Sequence, residues 1–150
     1  MASVRVFDVA SFILREQGSM TAMKLQKLVY YSQAWSLVWD DEPLFSERIE
    51  AWANGPVVRE LFDSHRGQFK LSTISSGNAD SLNKKQQETV LSVLDYYGPR
   101  SPQWLSDLTH VEDPWREARA GIPEDERGFN EITHAALVEY YGGLGPDEDE

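Results

Sequence analysis

Three histidines, at positions 65, 110 and 134, are the side chains best suited to moving a proton near neutral pH. His110 draws the eye first, because Thr109 precedes it and the carboxylates of Glu112 and Asp113 follow closely. A general base oriented by a carboxylate could be assembled from such parts, giving a hydrolase centred on His110 and Asp113. The competing reading is structural: His110 and Asp113 bond to each other and fix the turn ahead of Pro114. The sequence favours this second reading, because nothing else completes a catalytic set. The histidines share no metal-ligand spacing, and there is no HExxH, no DxDxD-type calcium loop and no glycine loop that would cradle phosphate. No serine or threonine sits in a nucleophile-elbow context. Zero cysteines exclude disulfides, thiolate metal sites and thiol nucleophiles. The expectation is a protein that is not an enzyme, with no catalytic residues, no cofactor and no metal.

Any function must then come from binding, so the elements that present side chains decide it. On a helical wheel of Thr21 to Trp39, Leu25, Leu28, Val29, Ser32, Trp35, Ser36 and Trp39 gather on one side. The opposite side begins with Lys24 and Lys27, then turns apolar at Tyr31, Ala34 and Val38. Gln26 and Gln33 alone keep a polar stripe between them. A helix apolar on nearly every side is buried or covered by a partner, which makes this one the expected central post. Asp40-Asp41 and Pro43 stop it. Gly55-Pro56 then reads as a helix start, with Asn54 or Gly55 as cap and Val57, Val58, Leu61 and Phe62 facing inward, toward an end near His65 and Gly67. His65 falls at that C-terminus, where a partial positive charge is favourable.

The flanking elements follow from caps and periodicity. Val6 to Gln17 makes a first helix ending at Gly18, and Thr21 caps the long one. Phe69 to Ile74 alternates weakly, enough for one short strand. Asn83 with Gln86 forms a capping box opening a helix through Tyr97, and Ser101-Pro102 launches another bearing Trp104, Leu105 and Leu108. Pro114 restarts a short helix carrying Trp115, residues 121–128 are a charged loop, and Asn130 caps a last helix using Ile132, Ala135, Ala136, Val138 and Tyr140. The sum is a mainly all-α single domain, a compact helical bundle of about six helices around the long aromatic helix, with at most one short strand or hairpin. Residues 1–141 form the domain and 142–150 an acidic tail with too little apolar surface to order itself. Of the five tryptophans, three are expected in the core of a chain this small and one or two partly exposed.

Charge narrows the partner. Residues 1–100 carry 11 Lys/Arg against 12 Asp/Glu, while residues 101–150 carry 3 against 13, so the net −11 belongs almost entirely to the last third. A field of this sign repels nucleic acid and anionic membranes and favours a basic protein. The first two helices have helix–turn–helix spacing, yet a recognition helix here would offer only Lys24, Gln26 and Lys27 before a wall of aromatics, so a DNA-binding regulator is disfavoured. No apolar run reaches the length of a membrane span and no signal peptide is evident, so the expected location is cytoplasmic.

The segments TAMKLQKLVYYSQAW, PLF, IEAWANGPVV and LTHVEDPWREA, in that order, resemble the Panacea domain. That family comprises SocA-like antitoxins and related phage-associated, GepA-like proteins, and the likeness spans residues 6–140. The resemblance implies a mostly helical antitoxin of a two-gene type II toxin–antitoxin system that neutralises a cognate protein toxin by direct binding. In its SocA-like branch it implies instead a proteolytic adaptor delivering the toxin to a ClpXP-type protease. Candidate partner contacts are Lys24, Tyr31, Trp52, Asn54, Arg59 and Trp115, the aromatic, polar and basic residues of the long helix, the Gly-Pro turn and the DPW segment. The chain departs from the family pattern at Ala53 and Asn54, where a basic and an aromatic residue are usual. A further departure is Val58-Arg59, where a second proline is often found.

Overall fold

A computed structural model describes residues 3–123 and 125–144 of the chain. The protein is mainly helical. Helix α1 (Val6–Gln17) leads through strand β1 (Met20–Thr21) into α2 (Ala22–Trp39). Strands β2 (Ile49–Trp52) and β3 (Gly55–Val58) follow, then α3 (Arg59–His65), β4 (Lys70–Leu71) and a 3₁₀ turn at Ala79–Ser81. Helices α4 (Lys84–Tyr97), α5 (Pro102–Val111) and α6 (Asp113–Ala118), strand β5 (Glu131–Ile132) and helix α7 (His134–Gly142) complete the described residues.

The expected caps appear where side-chain chemistry demands them. Thr21 accepts from the Lys24 amide, Ser101 from that of Trp104, and Asn83 and Gln86 exchange bonds as a capping box. Helix α2 is buried along most of its length and packs against α1, α4, α5, α7 and β3. Its hydroxyls turn inward onto backbone: Ser32 donates to Leu28 O at 2.8 Å and Ser36 to Glu42 O at 2.7 Å.

Three stretches differ from the sequence reading, and two small sheets stand where one short strand or hairpin was expected. The segment read as a helix start at Gly55-Pro56 is an antiparallel hairpin, with Ile49 opposite Val58 and Trp52 opposite Gly55. Strand β5 pairs on the other side of β2, giving the order β3-β2-β5 and leaving β3 at an edge. An edge strand tolerates Pro56, whose missing N–H would break an interior ladder. The weak alternation after Phe69 contributes only Lys70–Leu71, paired with Met20–Thr21 in a second small sheet, while Phe69 itself is exposed. The last helix starts later than expected because Glu131–Ile132 is drawn into the sheet. Thr133 rather than Asn130 is its cap, and Leu137 and Tyr141 rather than Val138 turn inward.

The tryptophans also fall differently. Among the five, only Trp115 is buried; Trp35 and Trp52 are half-buried and Trp39 and Trp104 are exposed. Tyrosines fill the space instead. Tyr30, Tyr31, Tyr97 and Tyr141 are all core residues, with the Tyr31 and Tyr97 rings stacked at 4.0 Å. The acidic tail expected over 142–150 lies, from residue 145 onward, outside the described residues; Gly142 closes α7.

Candidate partner-binding site

The hairpin 49–58 is held by its main chain. Four consecutive carbonyls along it each receive a donor from α5, α6 and the residue just after α6. Arg119 Nη1 reaches Ala51 O at 3.1 Å and Trp115 Nε1 reaches Trp52 O at 2.8 Å. His110 Nε2 lies 3.1 Å from Ala53 O, and Ser106 Oγ donates to Asn54 O at 3.2 Å. Turn carbonyls that would otherwise need water are thereby satisfied by side chains spaced four or five residues apart on two successive helices.

From the other side the hairpin is gripped by α2. The Gln26 amide imitates a strand neighbour: Val58 N donates to its Oε1 at 3.0 Å while its Nε2 faces Val58 O at 3.3 Å. Gln33 does the same one segment earlier, accepting from Leu44 N at 2.7 Å and donating to Phe45 O at 2.8 Å. The polar stripe of α2 is therefore two buried backbone clamps. Gln26 Nε2 also lies 3.0 Å from His65 Nε2. An amide nitrogen can only donate, so that ring nitrogen carries no proton and the imidazole is neutral. Burial accordingly pushes the His65 pKa below its ordinary value. The charge-on-dipole role expected for His65 is replaced by that of a buried acceptor.

Glu112 organises the α2–α6–α7 junction. Its Oε1 accepts from Tyr31 OH and Tyr141 OH, both at 2.7 Å, and Tyr30 OH sits 3.0 Å from Tyr141 OH. Burial pushes the Glu112 carboxyl above its usual range, with the two phenol bonds opposing the rise.

Lys27 stands where the two grips meet. Its side chain is 1% exposed and runs against the hairpin at Gly55, where an added Cβ would lie 2.5 Å from Lys27 Cε. Gly55 also has φ +125°, so the position needs glycine for both space and backbone. Burial lowers the Lys27 pKa from 10.5 to about 8, with no opposing interaction. Beside it opens a cavity of about 670 Å³ between α2, the hairpin, α3 and residues 127–129. Its aromatic wall is Trp52 edge-on to Phe62 at 4.9 Å and to Phe129 at 6.0 Å, with the Arg59 guanidinium over Phe129 at 4.7 Å. The buried Glu50 carboxylate orients this wall, taking Trp52 Nε1 at 2.8 Å and Arg59 Nε and Arg48 Nε at 3.2 Å each.

Of the six residues singled out from sequence, Trp52, Asn54 and Arg59 come together along this cavity. Lys24 stands apart, half-buried, with Nζ 2.6 Å from Gly98 O. Tyr31 and Trp115 are buried, Tyr31 donating to Glu112 and Trp115 to Trp52 O. The sequence reading missed Lys27, Phe62 and Phe129. The available signal was Lys27 itself, a cation in the middle of a helix whose every side is otherwise buried.

The alternatives fare poorly in this geometry. His110 and Asp113 do not pair. His110 binds Ser106 O at 2.5 Å and Ala53 O, while Asp113 meets Arg116 at 3.3 Å. The His110–Asp113 bond that would fix the turn ahead of Pro114 is therefore replaced by these separate contacts. Gln26 and Lys27 are buried and Lys24 is tied to α4, so α2 offers no recognition face for DNA. Among the described residues no group of three or more acidic or histidine side chains could hold a metal ion, and no helix is long and apolar enough to cross a membrane.

A protein-family model described as antitoxin SocA-like, Panacea domain, matches residues 25–116, more than half of the chain. Comparison with curated proteins and with solved structures gave no match. The matched span begins on α2 and ends on α6, and so contains Gln26, Lys27, the whole hairpin, and all of its side-chain clamps but Arg119. The chain belongs to the Panacea-domain family of SocA-like antitoxins.

Proposed function

We propose that this chain neutralises a cognate protein toxin by binding it directly, through the face made by the hairpin apex and the cavity beside it. The observation that carries this reading is the pre-built character of that face. Trp52 and Asn54 are presented by a hairpin whose carbonyls are clamped from one flank and whose β3 end is clamped from the other, and Arg59 follows directly as the first residue of α3. A surface already ordered before contact loses little conformational freedom on binding. Half-buried Trp and Arg side chains are the kind that anchor interfaces, and an ordinary interface of about 1,600 Å² needs only a few of them. The net charge of −11 would steer a basic toxin toward this protein. The toxin is most simply sought beside the antitoxin gene, in a two-gene operon, and both proteins would then meet in the cytoplasm.

Co-expression with the adjacent gene product tests the reading. Rescue of growth together with co-purification at a fixed ratio is expected, with toxin levels unchanged. If the toxin instead disappears only in cells holding a ClpXP-type protease, delivery replaces occlusion as the mechanism. Absence of both rescue and co-purification would sink the antitoxin reading for this chain.

A further inference from the structure

Lys27 has no partner among the described residues. Its side chain is 1% exposed, no carboxylate oxygen lies within 4.0 Å of it, and no hydrogen bond reaches it among the described residues. Burial is the sole cause acting on its pKa, as expected of a cation with no counter-ion. Taking an ammonium out of water without compensation is costly, and such groups in proteins are normally paired. The cavity of about 670 Å³ that Lys27 lines leaves room for a counter-ion to come from outside the chain.

The surrounding charges decide what kind of anion fits. Three further cations line the cavity, Arg59, Arg66 and Arg127, and all three side chains are exposed; Arg59 shares Glu50 with Arg48, and Arg66 meets Asp63 at 3.1 Å. Of these four lining cations only Lys27 is buried, and Trp52, Phe62, Phe129 and Val57 supply an apolar wall beside it. A single carboxylate on an apolar stem matches in both charge and shape.

We propose that this cavity is a carboxylate socket: an acidic side chain of the protein partner enters between Trp52, Phe62 and Phe129 and pairs with the Lys27 ammonium. The proposal rests on the partner-binding reading for the source of the carboxylate, and on the cavity itself for its chemistry. A basic partner drawn in by the overall negative charge would be fixed in register by the one acidic residue that finds this cation.

Two arms separate the socket from the antitoxin reading. In the first, 3-phenylpropionate and its amide are titrated into the full chain labelled with ¹⁵N and with ¹³C-lysine. The acid alone is expected to give saturable shifts at residues 53–57 and 127–129 and to raise the pKa read at Lys27 Cε, and Lys27→Met is expected to abolish both. Equal shifts from acid and amide, or unchanged binding to Lys27→Met, overturn the socket. In the second arm the toxin that co-purifies with the wild type is measured against Lys27→Met, whose fold is checked by its ¹⁵N spectrum. A loss of roughly tenfold or more is expected, reproduced by one Asp→Asn or Glu→Gln change in the toxin and not additive with it. Equal toxin binding by wild type and Lys27→Met overturns the socket and leaves the antitoxin reading standing. Uptake of the acid by a wild type that binds no toxin overturns the protein-borne source and the antitoxin reading together, and assigns the cavity to a free small carboxylate.

Discussion

Replacing Lys27 by Met should stabilise the protein at neutral pH, and the size of the gain follows from the buried charge. Methionine keeps the unbranched stem and removes the ammonium. In the folded chain Lys27 titrates at about 8, against 10.5 as its ordinary value. That gap, at ~1.4 kcal/mol per pH unit, amounts to roughly 3 kcal/mol of penalty for holding the proton in the folded state. The sign is that of a lowered lysine. Below pH 8 both states are protonated and the whole penalty is present. Between pH 8 and 10.5 the unfolded chain binds the proton more tightly, so wild-type stability recovers as pH rises. Urea unfolding of both proteins at pH 7, 8, 9 and 9.5 would read this. Lys27→Met is expected to lead by about 2–3 kcal/mol at pH 7 and to lose roughly 2 kcal/mol of that lead by pH 9.5. Buried tyrosines, whose pKa values are raised by burial, destabilise both proteins alike near pH 10 and cancel in the difference. A lead that is absent at pH 7, or that does not change with pH, would refute the reasoning.

Gln26→Leu should cost about 2–4 kcal/mol in urea unfolding, since it strands the buried Val58 N–H and leaves His65 Nε2 without its donor. Glu112→Gln keeps the acceptor for Tyr31 and Tyr141 and removes a buried charge. Because the Glu112 carboxyl is raised, the wild type loses stability as pH climbs from 4.5 through the folded value, so the Gln variant should gain on it between pH 4 and 7. Glu112→Ala should instead lose about 1–3 kcal/mol for each phenol left without a partner, measurable as a lower unfolding midpoint. Gly55→Ala adds a Cβ 2.5 Å from Lys27 Cε at φ +125° and should cost about 1–3 kcal/mol from backbone strain alone. Adding Lys27→Ala should recover the clash and not the strain, so the double variant would be less destabilised than the singles combined.

What could be read ahead of the structure was local. The Thr21, Asn83–Gln86 and Ser101–Pro102 caps depend on side chains and amides within one turn, and all are in place. The hairpin was hidden because its evidence is remote. Gly-Pro resembles a helix start, and only the pairing of Ile49 with Val58 and Ile132, together with donors from residues 106–119, makes it a strand. The polar stripe of α2 was visible, but its meaning lay in backbone groups of segments 44–45 and 58. Half of the proposed face was legible in Trp52, Asn54 and Arg59, which line one cavity. The rest, Phe62 and Phe129 with Lys27, is assembled from three separate segments, and no spacing rule connects them.

Ser106, His110, Trp115 and Arg119 grip oxygens that every amino acid carries. The tip at positions 53 and 54 can therefore change its residues without loosening its mounting, like exchangeable bits in one chuck. Ala53 and Asn54, the very positions where this chain parts from the usual family pattern, lie at that tip. Under the proposed binding role, rewriting these two side chains would re-aim the domain at a different partner and leave its mounting intact.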